Sequence, residues 1–225
     1  MIRYTIQFGD AGSAQFEVDE YGNTSVEDDR AEFPEWMLLE NRRCAACTLP
    51  EGSRKTCPAA LAIEPVINAF GKLISFEKVH MTVELHNVTV QADISAQRAI
   101  RAVTGLMFAL SDCPVLQKLR PMANFHIPFA TPEHTSFRFL GNHLIAQYLR
   151  NEKGLEPDWE LNELLQLLRN VHSVNRVLAG RIRAASEADA AVNSLILLDA
   201  FADQVEAGIE EKLEQLRPLF WMYLD

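Results

Sequence analysis

"KVHMTVELHNVTVQADISAQRAIRAVTGLMFALS", residues 78–111, changes its hydrophobic period part-way along, and that change decides the fold class. Val79, Met81, Val83 and Leu85 fall on one side of an extended chain. His80, Thr82, Glu84 and His86 fall on the other, the period of two that a half-buried strand requires. Asn87 marks a turn, so the first half predicts a β-hairpin. From Ser95 onward apolar residues recur every three or four positions, which predicts one helix across "ISAQRAIRAVTGLMFALS".

Upstream, "IRYTIQFGDAGSAQFEVDEYGN" alternates polar and apolar residues on both sides of a Gly-containing turn and predicts a first hairpin. Four antiparallel strands then form a small sheet with one face buried. Downstream, "TPEHTSFRFLGNHLIAQYLRNEKG" carries Thr131 as N-cap, Pro132 at the first helical position and Gly154 past the end. After "EPDW", the residues Leu161, Leu164, Leu168, Val171, Leu178 and Ile182 make an apolar stripe. Ser186, with Asp189 three positions on, starts a further helix that would close a helical hairpin. The expected fold is α+β: a small antiparallel N-terminal sheet of two hairpins packed with a C-terminal helical bundle of four to five helices. Residues 1–94 form the strand-rich part and 95–225 the helical part. With no repeat or low-complexity linker between them, they are expected to make one compact unit.

With 48% hydrophobic and 23% charged residues, 225 residues can bury a sizeable core. No apolar run approaches the roughly 18 residues of a membrane-spanning helix, and "MIRYTIQFGD" lacks the basic-then-apolar order of an export signal. A cytoplasmic protein with reduced thiols is expected. The net charge is −10, divided as −6 over residues 1–33, +3 over 34–150 and −7 over 151–225. That balance argues against general nucleic-acid binding, which needs clustered Lys and Arg.

All four cysteines sit in the positive segment. "RCAACTLPEGSRKTCPAALAIE", residues 43–64, holds Cys44, Cys47 and Cys57; Cys113 is the fourth. Cys44 and Cys47 make a C-x2-C knuckle, a spacing at which two sulfurs reach one metal ion from a tight turn. Cys57 and Cys113 each precede a proline that opens a segment of helical character, so each falls at an N-cap where the helix dipole stabilises a thiolate. Arg42, Arg43, Arg54 and Lys55 flank the first three, and Lys118 and Arg120 follow the fourth. The pattern predicts a four-cysteine metal site holding zinc, with a 4Fe-4S cluster as the alternative. The plainer reading is four free thiols, two of them buried as small apolar residues. A catalytic C-x-x-C pair fits poorly, because the loop "TLPEGS" follows it where a redox motif opens a helix.

His126, thirteen positions after Cys113, is an alternative metal ligand, and His80 and His86 alternate along a predicted strand. His172, Asn175, Arg176, Asn193 and Asp199 lie along or beside the apolar stripes of the helical hairpin, as a polar binding cluster or as a network that fixes helix register. No G-x-S-x-G elbow, H-E-x-x-H helix or phosphate-binding glycine loop occurs, so no motif supports enzymatic activity.

The stretches "PEWMLLENRRCAACTLP", "KTCPAALAI", "SDCPVLQKLRPMANFHIPFA" and "DAAVNSLILLDAF" resemble the signature segments of a family of uncharacterised bacterial proteins, a domain of unknown function. The resemblance spans most of the chain and implies a bacterial cytoplasmic protein, with no activity attached. The short C-x-x-C-x-L at Cys44 to Leu49 is similar to that of cluster-binding uracil-DNA glycosylases, whose catalytic motifs have no counterpart here. The functional expectation is a metal-stabilised, non-enzymatic adaptor or regulator whose acidic helical surface meets an unknown protein partner. The alternative is an iron–sulfur protein with a redox or sensing role.

Overall fold

The structure is a computed structural model and describes residues 2–9, 12–18, 30, 32–70, 73–85, 87–185, 192–193, 195–196 and 209–224. Four strands, β1 (Ile2–Gln7), β2 (Ser13–Val18), β3 (Lys78–Leu85) and β4 (Val88–Ser95), form one antiparallel sheet in the order β2-β1-β3-β4. Each predicted hairpin is present, and β1 and β3 join them at the centre. Tyr4 pairs with Phe16 on β2 and with Val83 on β3, while Ile6 faces Met81, so the apolar residues of three strands share one face. Tyr4, Ile6, Phe16, Val79, Met81 and Val83 are all buried there. Gly9 and Gly12, at φ 52° and 121°, take the left-handed conformations of the first turn region.

α1 (Pro58–Phe70) and α2 (Ala96–Leu110) cover that face. Val66 and Phe70 of α1, with Ala99, Ile100, Val103 and Leu106 of α2, complete the core over the sheet. A 3₁₀ turn (Leu116–Leu119), α3 (Arg120–Asn124), α4 (Pro132–Glu152) and α5 (Asn162–Ala185) follow. Shorter helical pieces, Ile209–Leu216, Arg217–Phe220 and Trp221–Leu224, end the described chain. This is an α+β fold.

The signposts of α4 work as read, with one substitution of chemistry. Thr131 accepts from the His134 backbone N–H at 3.3 Å, and His134 Nδ1 accepts from the Thr131 N–H at 3.4 Å, so a histidine completes the box usually closed by Glu or Gln. Gly154 ends the helix at φ 70°. Asp158, in the predicted start of α5, accepts from the N–H groups of Asn162 and Glu163 at 3.1 and 2.6 Å. The predicted stripe of α5 is buried along its length.

A second apolar cluster joins Ala59, Ala60 and Ile63 of α1 to Phe108 of α2 and to Val174, Leu178 and Ile182 of α5. Helix α1 therefore packs on the sheet with one side and on α5 with the other, and the cysteines sit where that second cluster closes. His86, Asp199 and the predicted helix start at Ser186 with Asp189 lie outside the described residues, while Val192, Asn193, Leu195 and Ile196 further along that stretch are helical.

Candidate metal centre

The knuckle loop is pinched at its base. A bridge pairs Leu38 with Thr56, Leu39 N–H donates to Lys55 O at 3.0 Å, and Cys57 N–H donates to Met37 O at 2.8 Å. Within the loop, Arg42 adopts φ 52°, and Cys47 N–H donates to Cys44 O at 3.0 Å, so C-A-A-C is a tight turn. Cys57 and Pro58 open α1, with Leu61 N–H donating back to Cys57 O at 3.0 Å. Cys113 and Pro114 open the turn before the 3₁₀ segment, where Gln117 N–H donates to Cys113 O at 2.9 Å. Both Cys-Pro steps are thus helical starts.

These three chain segments bring Cys44, Cys47, Cys57 and Cys113 to one small apolar cavity of about 20 Å³. Leu39 and Leu49 of the loop and Val174, Val177, Leu178 and Arg181 of α5 complete its wall; the α5 residues recur at helical spacing and present one face. All four cysteines are free thiols. Among the described residues, no group of three or more His, Cys, Asp or Glu side chains stands in ready metal-holding geometry. The thiols share the cavity but are not closed into a ligand set, and metal binding would require side-chain rotation.

Their electrostatics show the same convergence. Burial pushes the Cys44 thiol up to about 11, and the charges of Cys47, Cys113 and Cys57 push the same way. Burial also raises Cys113, opposed by the backbone N–H groups of Leu116 and Val115 and reinforced by Cys57 and Cys47. A divalent cation reverses this by favouring the thiolates that burial disfavours. Two arginines border the site. Arg43 Nη2 lies 3.7 Å from Cys47 Sγ, and its Nη1 donates to Glu40 at 3.2 Å. Arg181, 3% exposed, donates to the carbonyls of Leu38 and Arg42 at 3.2 and 2.8 Å, while its Nε is buried with no acceptor.

His126 stands elsewhere. Its Nε2 is hydrogen-bonded to the buried Tyr4 hydroxyl, and it lines a different cavity. Burial, with the Arg138 charge adding to it, lowers His126 to about 4. The five-residue polar cluster is divided among different surroundings. Asn175 is buried, Arg176 is exposed, Asn193 donates to Ser75, His172 is half-buried, and Asp199 is not described. His80 pairs with Asp93 at 2.8 Å on the outer face of the sheet. Sequence reasoning missed Arg181: a single arginine in an apolar stripe gives no sign that it meets carbonyls more than a hundred positions upstream.

A family model for a domain of unknown function, DUF6901, matches residues 2–221. The chain belongs to that family. No curated protein and no solved structure matches it. DUF6901 brings no described activity, so the chemistry of the thiol site carries the functional argument.

Proposed function

We propose that this DUF6901 protein is a zinc-binding protein in which Cys44, Cys47, Cys57 and Cys113 hold one structural ion. The observation that carries the reading is the meeting of four thiols from three chain segments at one cavity, with two guanidinium groups beside it. Four thiolates around zinc bear a net double negative charge, which Arg43 and Arg181 would offset. All four ligands come from the protein, the closed arrangement of a structural site with no open position for substrate.

The site would pin the 38–57 loop and the turn before the 3₁₀ segment against α5, a scaffold role that suits an adaptor or regulator. Exposed Phe137, Leu144, Ile145 and Tyr148 on α4 supply apolar surface for a protein partner. The test is anaerobic purification with metal analysis and a visible spectrum. A colourless protein with about one zinc per chain, which gives a tetrahedral thiolate spectrum on cobalt exchange, supports the reading. A brown protein with a broad visible band would replace zinc by a cluster, and a metal-free protein that takes up neither would end the proposal.

A further inference from the structure

Apart from the thiol site, the molecule holds a larger cavity of about 190 Å³ between α2, the α3 region and α4, closed at one end by α5. Its wall is mostly apolar, built from Leu106, Met122, Phe129 and Phe139 among others. Among the described residues its charged groups are all cationic: Arg98 and Arg101 of α2 and Arg138 of α4 line it. In a chain of net charge −10, a mostly apolar wall on which the described residues place three arginines and no carboxylate is an electrostatic preference for an anion.

Two polar atoms there lack partners. Arg138 donates through Nη2 to Met122 O, but its Nε is buried with no acceptor. Asn175 is 2% exposed, and its Oδ1 is buried with no donor. Buried groups of this kind are costly unless something satisfies them. His126 adds no charge near neutral pH, since burial and the Arg138 charge keep it neutral down to about 4. The cation that faces the interior is therefore Arg138, with Arg101 half-buried and Arg98 exposed toward the mouth.

We propose that this cavity binds a small organic acid, one carboxylate on an apolar body, with the carboxylate drawn to the guanidinium groups of Arg138 and Arg101 that line it. Comparable engineered cavities of about 150 Å³ hold benzene, so 190 Å³ takes a ring or a chain of about eight carbons. A guanidinium at a mostly apolar wall suits a single carboxylate, whereas a dianionic phosphate would lose more hydration than this wall returns. The proposal is independent of the metal, because none of the four cysteines lines this cavity.

Titration of the full chain with octanoate, followed by calorimetry and by amide NMR shifts, tests it. Saturable binding of about one octanoate per chain is expected, with shifts centred on α2 and α4 and with acetate and octylamine inactive. Arg138→Gln should weaken octanoate about tenfold or more, the usual worth of a charge-assisted hydrogen bond, and Ala102→Phe should abolish binding by filling the cavity. Should Arg138→Gln fail to fold, Arg101→Gln carries the charge comparison with a severalfold loss. Absence of saturable binding, octanol equal to octanoate, or undiminished binding in Ala102→Phe would each overturn the proposal.

Discussion

Cys44 shows how a residue's surroundings change its chemistry. A thiol held near 11 is protonated at neutral pH and is a poor nucleophile, so the metal-free protein should alkylate slowly at Cys44 until the pH passes about 10. The same shift sets an alkaline limit on stability. The folded thiol is raised above its unfolded value of 9.0, so its contribution is complete below pH 9 and is lost as pH rises toward about 11. Zinc should remove that limit and release protons from both Cys44 and Cys113 on binding, measurable in weakly buffered titrations. His126 acts at the other end of the scale. Lowered from 6.5 to about 4, it stays neutral in the fold, and the unfolded chain takes up its proton first as pH falls. Stability should therefore decline from about pH 6.5 to 4, and His126→Gln should flatten that acid limb in thermal melts at stepped pH. The knuckle and the two Cys-Pro steps were legible in sequence because C-x2-C turns and N-cap geometry are local. His126 was misleading as an alternative ligand: closeness in sequence to Cys113 says nothing of the Tyr4 hydroxyl it meets across the sheet core.

At the scale of elements, the hairpins and long helices follow from periodicity, which needs no knowledge of neighbours. The capped start of α4 is a local prediction in the same sense. Thr131→Ala removes the oxygen that accepts from His134 N–H and should cost about 1 kcal/mol in denaturant unfolding. The cavities were not legible, since each depends on helices distant in sequence arriving together. Helix α5 illustrates the difference. Its stripe could be read as apolar, yet Val174, Leu178 and Arg181 close the thiol site while Val171 and Asn175 close the larger cavity. Arg181 joins the helix to the loop by two carbonyl contacts, so Arg181→Met strands Leu38 O and Arg42 O without their donor. A loss of about 2–4 kcal/mol is expected by chemical denaturation. If the guanidinium also offsets thiolate charge, zinc affinity should fall with it, measured by competition with a chelator.

For the whole molecule, charge and connectivity make separate demands. The −6 and −7 segments flank a centre of +3, and the summed field repels phosphate. Binding to generic duplex DNA at physiological salt should be undetectable by polarisation; salt-sensitive micromolar binding would make the central segment an interaction face. Connectivity makes the stronger demand. Cys113 lies 56 positions beyond Cys57, past β3, β4 and α2, so a shared zinc would close a long loop around half of the sheet. By the chain-entropy estimate used for disulfides, constraining a loop of this length is worth about 4 kcal/mol, an upper figure because real denatured chains are already compact. Metal affinity itself adds to folding, since the unfolded chain has no site in place. Cys113→Ser should therefore lower both zinc content and melting temperature about as much as Cys44→Ser does, although the two thiols lie in different parts of the chain. A serine replacing a thiol that was only packed would leave the metal in place. Full zinc and an unchanged melt in Cys113→Ser would remove the fourth sulfur from the site, and with it the cross-link between the knuckle loop and the turn that follows α2.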